Sequence, residues 1–195
     1  MERYLHGGLG DPASLDPRVA ASLYTLDRLA SRDAILKTIA ENDIVVSDRY
    51  TVSNYIHRGV PFVEAGDTEG LSKFYEWLSD FEFDRARIPR PDLVIFLSMG
   101  MGNIEKLLQK KSQEFRTHTN GLDLMERDLA HQAAALRIGR EILPEYFANY
   151  RIMECEDLRG NLLPPEEVAD RVWEVVRHAC EDRSAVSPSR RSVQR

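Results

Sequence analysis

Cysteine is scarce in this chain, and long apolar runs are absent. Only Cys155 and Cys180 occur among 195 residues. Each stands alone, so a disulfide framework is excluded. The five histidines, at 6, 57, 118, 131 and 178, show no His-x-x-x-His spacing, and there is no Cys-x-x-Cys, so no structural metal is expected. The longest apolar run, Leu93 to Leu97, falls far short of the roughly 20 residues that a membrane helix needs. The first residues lack the basic start and apolar stretch of a secretory signal, which makes a reducing cytoplasm the default location. An excess of positive charge is also missing: 26 Lys+Arg face 32 Asp+Glu, a formal charge of -6, which argues against nonspecific nucleic-acid binding. With 11 Gly and 9 Pro the composition fits neither a collagen repeat nor wholesale disorder. What is present, 43% hydrophobic and 30% charged residues, predicts one soluble globular domain.

Helix and strand signals alternate along the chain. Asp16-Pro17 is a helix start, a capping carboxylate before a residue whose missing N–H costs nothing in the first turn. Val19, Leu23, Leu26, Ala30, Ile35 and Ile39 then predict one long amphipathic helix ending near Glu41. Ile44–Ser47 reads as a short buried strand, and 51–58 as the opening of another helix. Residues 59–70, with Pro61, Gly66 and Asp67, read as loop. A helix over about 70–84 puts Leu71, Phe74, Tyr75, Leu78 and Phe81 inward, and Leu93–Leu97 is a second strand. Helices over about 102–109 and 123–142 flank a polar stretch, Lys110 to Asn120. Arg151–Cys155 is a third strand, and a last helix from Pro165 buries Val168, Val172, Trp173 and Val176. The alternation predicts an α/β fold, a parallel sheet flanked by helices. Residues 1–183 are read as the domain, and 184–195, with three arginines and no acid, as a disordered tail.

A strand running into Asp48-Arg49-Tyr50 is the most informative local feature. A carboxylate and a guanidinium at the carboxyl edge of a sheet suit water or metal positioning and bidentate oxyanion binding. A surface ion pair or a turn is the alternative for an isolated Asp-Arg. Tyr24 and Arg28 lie four apart, hence on one helix face, with core packing and a solvated side chain as their rival roles. Asn54 carries both a donor and an acceptor, and helix capping is its rival role.

The segment from Val46 to Gly59, with Asp48-Arg49-Tyr50-Thr51-Val52-Ser53, resembles the Asp-Arg-Tyr-x-x-Ser signature of thymidylate kinases. Three further segments resemble the same family in the same order. They are Leu23 to Arg28, Phe74 through Pro89-Arg90-Pro91-Asp92 to Leu97, and Asp123 to Leu129. The resemblance implies a P-loop nucleoside-monophosphate-kinase fold and transfer of the γ-phosphoryl of ATP to dTMP, giving dTDP, with Mg2+ as charge neutraliser. It implies that Tyr24 stacks on the pyrimidine, Arg28 donates to its O4, and Asn54 meets its N3 edge. Ser53 and His57 join the substrate site, with His57 near the sugar. Arg49 grips the monophosphate, and Asp48 stands beside magnesium-bound water. Lys110, Lys111 and Arg116 fall where the family's lid closes over the phosphates, although a charge run between helices is also a common solvated loop. A homodimer is implied, with dTMP and ATP as small-molecule partners and no nucleic acid or membrane.

Departures from the family are specific. Ile56-His57-Arg58 stands where a small residue, an aromatic ring and a small polar residue or Gln are usual, and Ser98 replaces a common acid at the end of a strand. The Gly-x-x-x-x-Gly-Lys-Ser/Thr loop that cradles ATP phosphates occurs nowhere in the 195 residues, and Gly7-Gly8-Leu9-Gly10 reads as a turn. The expectation is a fold incomplete at its N-terminus, lacking the first strands, and inactive alone. A binding relative that holds a pyrimidine nucleotide without turning it over is the competing class.

Overall fold

A computed structural model describes residues 15–114 and 128–186, with the backbone alone for 111–114 and 182–186. Helix α1 (Pro17–Ala30) starts as the sequence dictates: Asp16 Oδ1 accepts from the Arg18 amide at 2.7 Å, and Pro17 occupies the first turn. The expected single helix breaks at Ser31, whose N–H is shared between the carbonyls of Asp27 and Arg28, and α2 (Arg32–Glu41) begins there. The expected apolar stripe is also corrected. Small residues, Ala20, Ala21 and Thr25, form the buried face, whereas Val19, Leu26 and Ile39 are about half exposed. Small side chains let the α1 backbone approach its neighbours closely, and Val19, Leu26 and Leu29 are turned away.

Ile44–Ser47 is not a strand. It pairs with no described strand and Val46 is 83% exposed. An extended segment becomes a strand only when a neighbour takes its backbone N–H and C=O groups, and no described segment does so.

Helix α3 (Val52–Ala65) runs through the stretch expected to be loop, with Pro61 inside it. Burial of Tyr55, Gly59 and Val60 on one face outweighs the single backbone bond that proline removes. Gly59 is required by packing, since a Cβ there would lie 2.5 Å from Tyr75 Oη. The turn comes later, at Gly66 in the left-handed region (φ 67°) and Asp67, whose Oδ1 caps α4 (Thr68–Ser79) through the Gly70 amide at 2.8 Å. Leu71, Phe74, Tyr75 and Leu78 of α4 are buried as expected. Beyond Ser79 the chain widens into a π-helical turn, Asp80–Arg85, with the Ala86 amide bonding Phe81 O at 3.0 Å.

Strands β1 (Val94–Ser98) and β2 (Tyr150–Glu154) pair in parallel from Val94 opposite Tyr150 to Ser98 opposite Glu154. Between them lie α5 (Met101–Glu114) and α6 (Leu129–Arg137), the latter continued by a π turn, Ile138–Ile142. The expected helix start at 123 lies outside the described residues, and so does the tail beyond 186. Helix α7 (Pro165–Val186) follows β2. Val168, Val172 and Val176 are half-buried, but Trp173 is 55% exposed, contrary to expectation. The fold is thus helix-rich α/β around a two-stranded parallel sheet. Its core joins Tyr55, Val60, Phe74, Tyr75 and Leu78 to Val94, Ile138 and Leu143, with α3 packed against α1, α4 and α6.

Candidate functional site

Two residues expected at the site, Arg28 and Asn54, converge with Thr25 because α1, α3 and the π turn meet around one carboxylate. Glu82 is fully buried, and its Oε1 accepts from Thr25 Oγ1 at 3.0 Å, Arg28 Nη1 at 2.8 Å and Asn54 Nδ2 at 2.7 Å. Its Oε2 is buried without a partner. Burial raises the Glu82 pKa, while Arg28, Asn54 and Thr25 pull it down. Arg28 uses a second arm, Nη2, to reach the Tyr50 carbonyl at 2.8 Å, and its guanidinium lies 5.9 Å from the Tyr50 ring. The arginine thereby ties α1 to the segment just before α3.

Tyr24, one turn ahead of Arg28 on α1, is half-buried, and the Arg58 guanidinium lies over its ring at 5.7 Å. The arginine that departs from the family pattern therefore contacts the ring expected to stack on a base. Asp48 and Arg49 are exposed. Arg49 has φ 56°, a left-handed backbone conformation that costs a non-glycine residue on the order of 1 kcal/mol. Ser53 is half-buried, its amide bonded to Tyr50 O at 3.1 Å.

His57 on α3 faces His131 on α6, with Nδ1 and Nε2 3.2 Å apart and the rings stacked 5° from parallel. Burial first, then His131, Arg49 and Arg58, push the His57 imidazole down to about 3 from 6.5. Lys110 lies on α5, the side chain of Lys111 is not described, and Arg116 falls outside the described residues. At the end of β1 the buried Ser98 accepts from Arg140, which also pairs with Glu154 at 2.8 Å.

Glu82 was missed as a site residue. The available signal was its register: it follows Leu71, Tyr75 and Leu78 at helical spacing, so it is a carboxylate on an apolar face. No group of three potential metal ligands occurs among the described residues. No helix among them is long and apolar enough to cross a membrane.

The fold and this cluster define an α/β protein with a buried polar site, organised by a carboxylate, where two helices meet. No family model matches the chain. Two relatives named thymidylate kinase, from two strains of Mycobacterium tuberculosis, are each 32% identical over 167 residues, covering 83% of this chain and 75% of the relative. The chain belongs to the thymidylate kinase family.

Proposed function

We propose that the chain forms the acceptor side of a nucleoside-monophosphate kinase of P-loop type that transfers the γ-phosphoryl of ATP to dTMP in dTTP biosynthesis. The convergence of Arg28 and Asn54 on Glu82, beside Tyr24 and the Asp48-Arg49 turn, carries this reading. A buried ion pair that holds a guanidinium and a carboxamide rigid is what recognition of a base edge requires, since a site left to rearrange on binding loses affinity to ordering. Arg49 supplies a charge-assisted grip for the monophosphate, and an exposed, strained backbone position suits a ligand clamp better than a packing role.

Phosphoryl transfer needs positioning and charge neutralisation rather than covalent chemistry. Asp48 is a single carboxylate, which is enough for Mg2+, an ion that keeps several waters and takes its other ligands from phosphates. When bound, that ion would neutralise charge on the transferring group. Lys110, Lys111 and Arg116 are proposed to face the phosphates from the lid. The 195 residues contain no phosphate-cradling Gly-Lys-Ser/Thr loop, so these residues alone are expected to bind dTMP and turn it over near background. A cytoplasmic homodimer completes the reading, and the exposed Leu26, Leu29, Leu36 and Ile39 of α1 and α2 suit such a contact.

Chromatographic assay of ATP-dependent dTDP formation tests the enzyme reading. The 195 residues should give none above background, and a longer gene product carrying a phosphate loop should give dTDP. No turnover of any pyrimidine monophosphate by that longer product would leave the non-catalytic binding reading instead.

A further inference from the structure

A cavity of about 600 Å3 opens at the edge of the sheet where both strands begin. Asp92 and Val94 line it at the start of β1 and Asn149 just before β2, so it lies away from Ser98 and Glu154, where the strands end. Such a volume is within the range of small-ligand sites, about 300–1,000 Å3. One wall is aromatic: Tyr146, edge-on to Tyr75 with centroids 4.9 Å apart, is 42% exposed, and Phe147 follows it. The charge is acidic. Glu76, Asp80, Asp84 and Asp92 line the cavity against a single cation, Arg90, which Asp84 and the Phe83 ring already engage at 3.4 Å and 4.2 Å. Asp80 pairs with Arg85 at 2.5 Å, while Glu76 is exposed and pairs with no described residue. A guanidinium suits this place, since it stacks on aromatic rings and binds carboxylates bidentately.

The chain itself brings guanidinium groups toward this edge. The Leu163 amide donates to the Cys155 carbonyl at 2.9 Å, which starts α7 beside the far end of β2. Helix α7 packs on β2, and its half-buried stripe from Val168 through Val172 and Val176 to Cys180 is about 18 Å long, close to the length of the strand. The helix therefore runs back toward the edge where β2 begins. Beyond Val186 come Ser187-Pro188-Ser189-Arg190-Arg191-Ser192-Val193-Gln194-Arg195, with three arginines and no acid. A segment of that length reaches at most about 30 Å. We propose that residues 187–195 dock on their own chain, with Arg190 and Arg191 set against Tyr146 and the carboxylates of this cavity. Composition alone predicts disorder for the segment, and the acidic, aromatic cavity supplies the partner that its composition lacks. The cavity shares no lining residue with the Glu82 cluster, so the docking does not depend on the acceptor-site reading.

Nuclear magnetic resonance of the full chain tests this. The Arg190 and Arg191 side-chain Nε–H groups should exchange with solvent at least about tenfold more slowly than that of exposed Arg159, and molar salt should abolish the difference. Glu76→Lys, an exposed change that sets a like charge beside the arginines, should abolish it too while the melting curve is kept. Overhauser contacts from the two arginine side chains to the Tyr146 ring should appear within one chain. Fast exchange, absence of these contacts, or protection that Glu76→Lys leaves intact overturns the proposal. Contacts that instead join labelled to unlabelled chains in a mixed sample assign the cavity to the tail of a second copy, and overturn docking within one chain.

Discussion

Arg49 and His57 show that single residues here carry constraints that neighbours do not share. Arg49 accepts a left-handed backbone while exposed, so nothing in the core rewards it. Arg49→Gly should leave the thermal midpoint unchanged or higher, because glycine takes that conformation freely. The same variant should lose dTMP affinity by about 1.5–3 kcal/mol, the worth of a charge-assisted phosphate contact. Tyr24→Ala should cost about 1–3 kcal/mol of dTMP affinity if its ring stacks on the base. Both are read by calorimetry alongside a melting curve. His57, driven to about 3 in the folded protein against 6.5 when free, binds fewer protons folded than unfolded between those values. Its contribution to stability is complete above pH 6.5 and is lost as pH falls toward 3. Denaturant unfolding followed by circular dichroism should show stability dropping over that window, and His57→Gln should flatten the drop. An equally steep fall in the variant would assign the loss to other groups.

At the scale of elements, the helices were the legible part. The inward face of α4, the Asp16 cap and the paired strands at 94–98 and 150–154 follow from periodicity and capping chemistry that a local stretch carries in itself. Asp48-Arg49-Tyr50, Tyr24, Arg28 and Asn54 stand out in the sequence through the resemblance to thymidylate kinases, since periodicity alone leaves packing and capping open as their roles. Ile44–Ser47 was misread because its apolar, β-branched composition announces a strand, while pairing depends on a partner that composition cannot supply. Pro61 misled in the opposite sense, because tertiary burial on α3 overrode a local breaker. The π turn after α4 was invisible, since an i→i+5 register leaves no periodic trace in six residues. With it went the reason Glu82 reaches α1 and α3. Where helix and sheet meet, Gly139 admits the Phe96 ring, which a Cβ would approach to 2.3 Å. Gly139→Ala should therefore destabilise the fold by about 1–3 kcal/mol through overpacking. Denaturant unfolding would show it, and an unchanged midpoint would mean that the ring has room to move.

The whole molecule presents an uneven surface. Val19, Leu26, Leu29, Leu36 and Ile39 are exposed along α1 and α2, and Ile44 to Val46 and Leu97 elsewhere. Apolar surface of this extent favours association, and unpaired backbone beside it invites pairing with another chain. Sedimentation at micromolar concentration should therefore report a species heavier than the 22.3 kDa chain. A clean monomer would show that this surface is tolerated in water. Membership of the thymidylate kinase family gives the molecule its class, and the proposed function puts the acceptor site at the Glu82 cluster. Titration of dTMP into the 195-residue protein, without ATP, tests this most directly. The account predicts saturable binding at one site per chain, weakened at least about tenfold in Arg49→Gly. A folded wild type that evolves no binding heat at any dTMP concentration, or one whose affinity ignores Arg49, would contradict it.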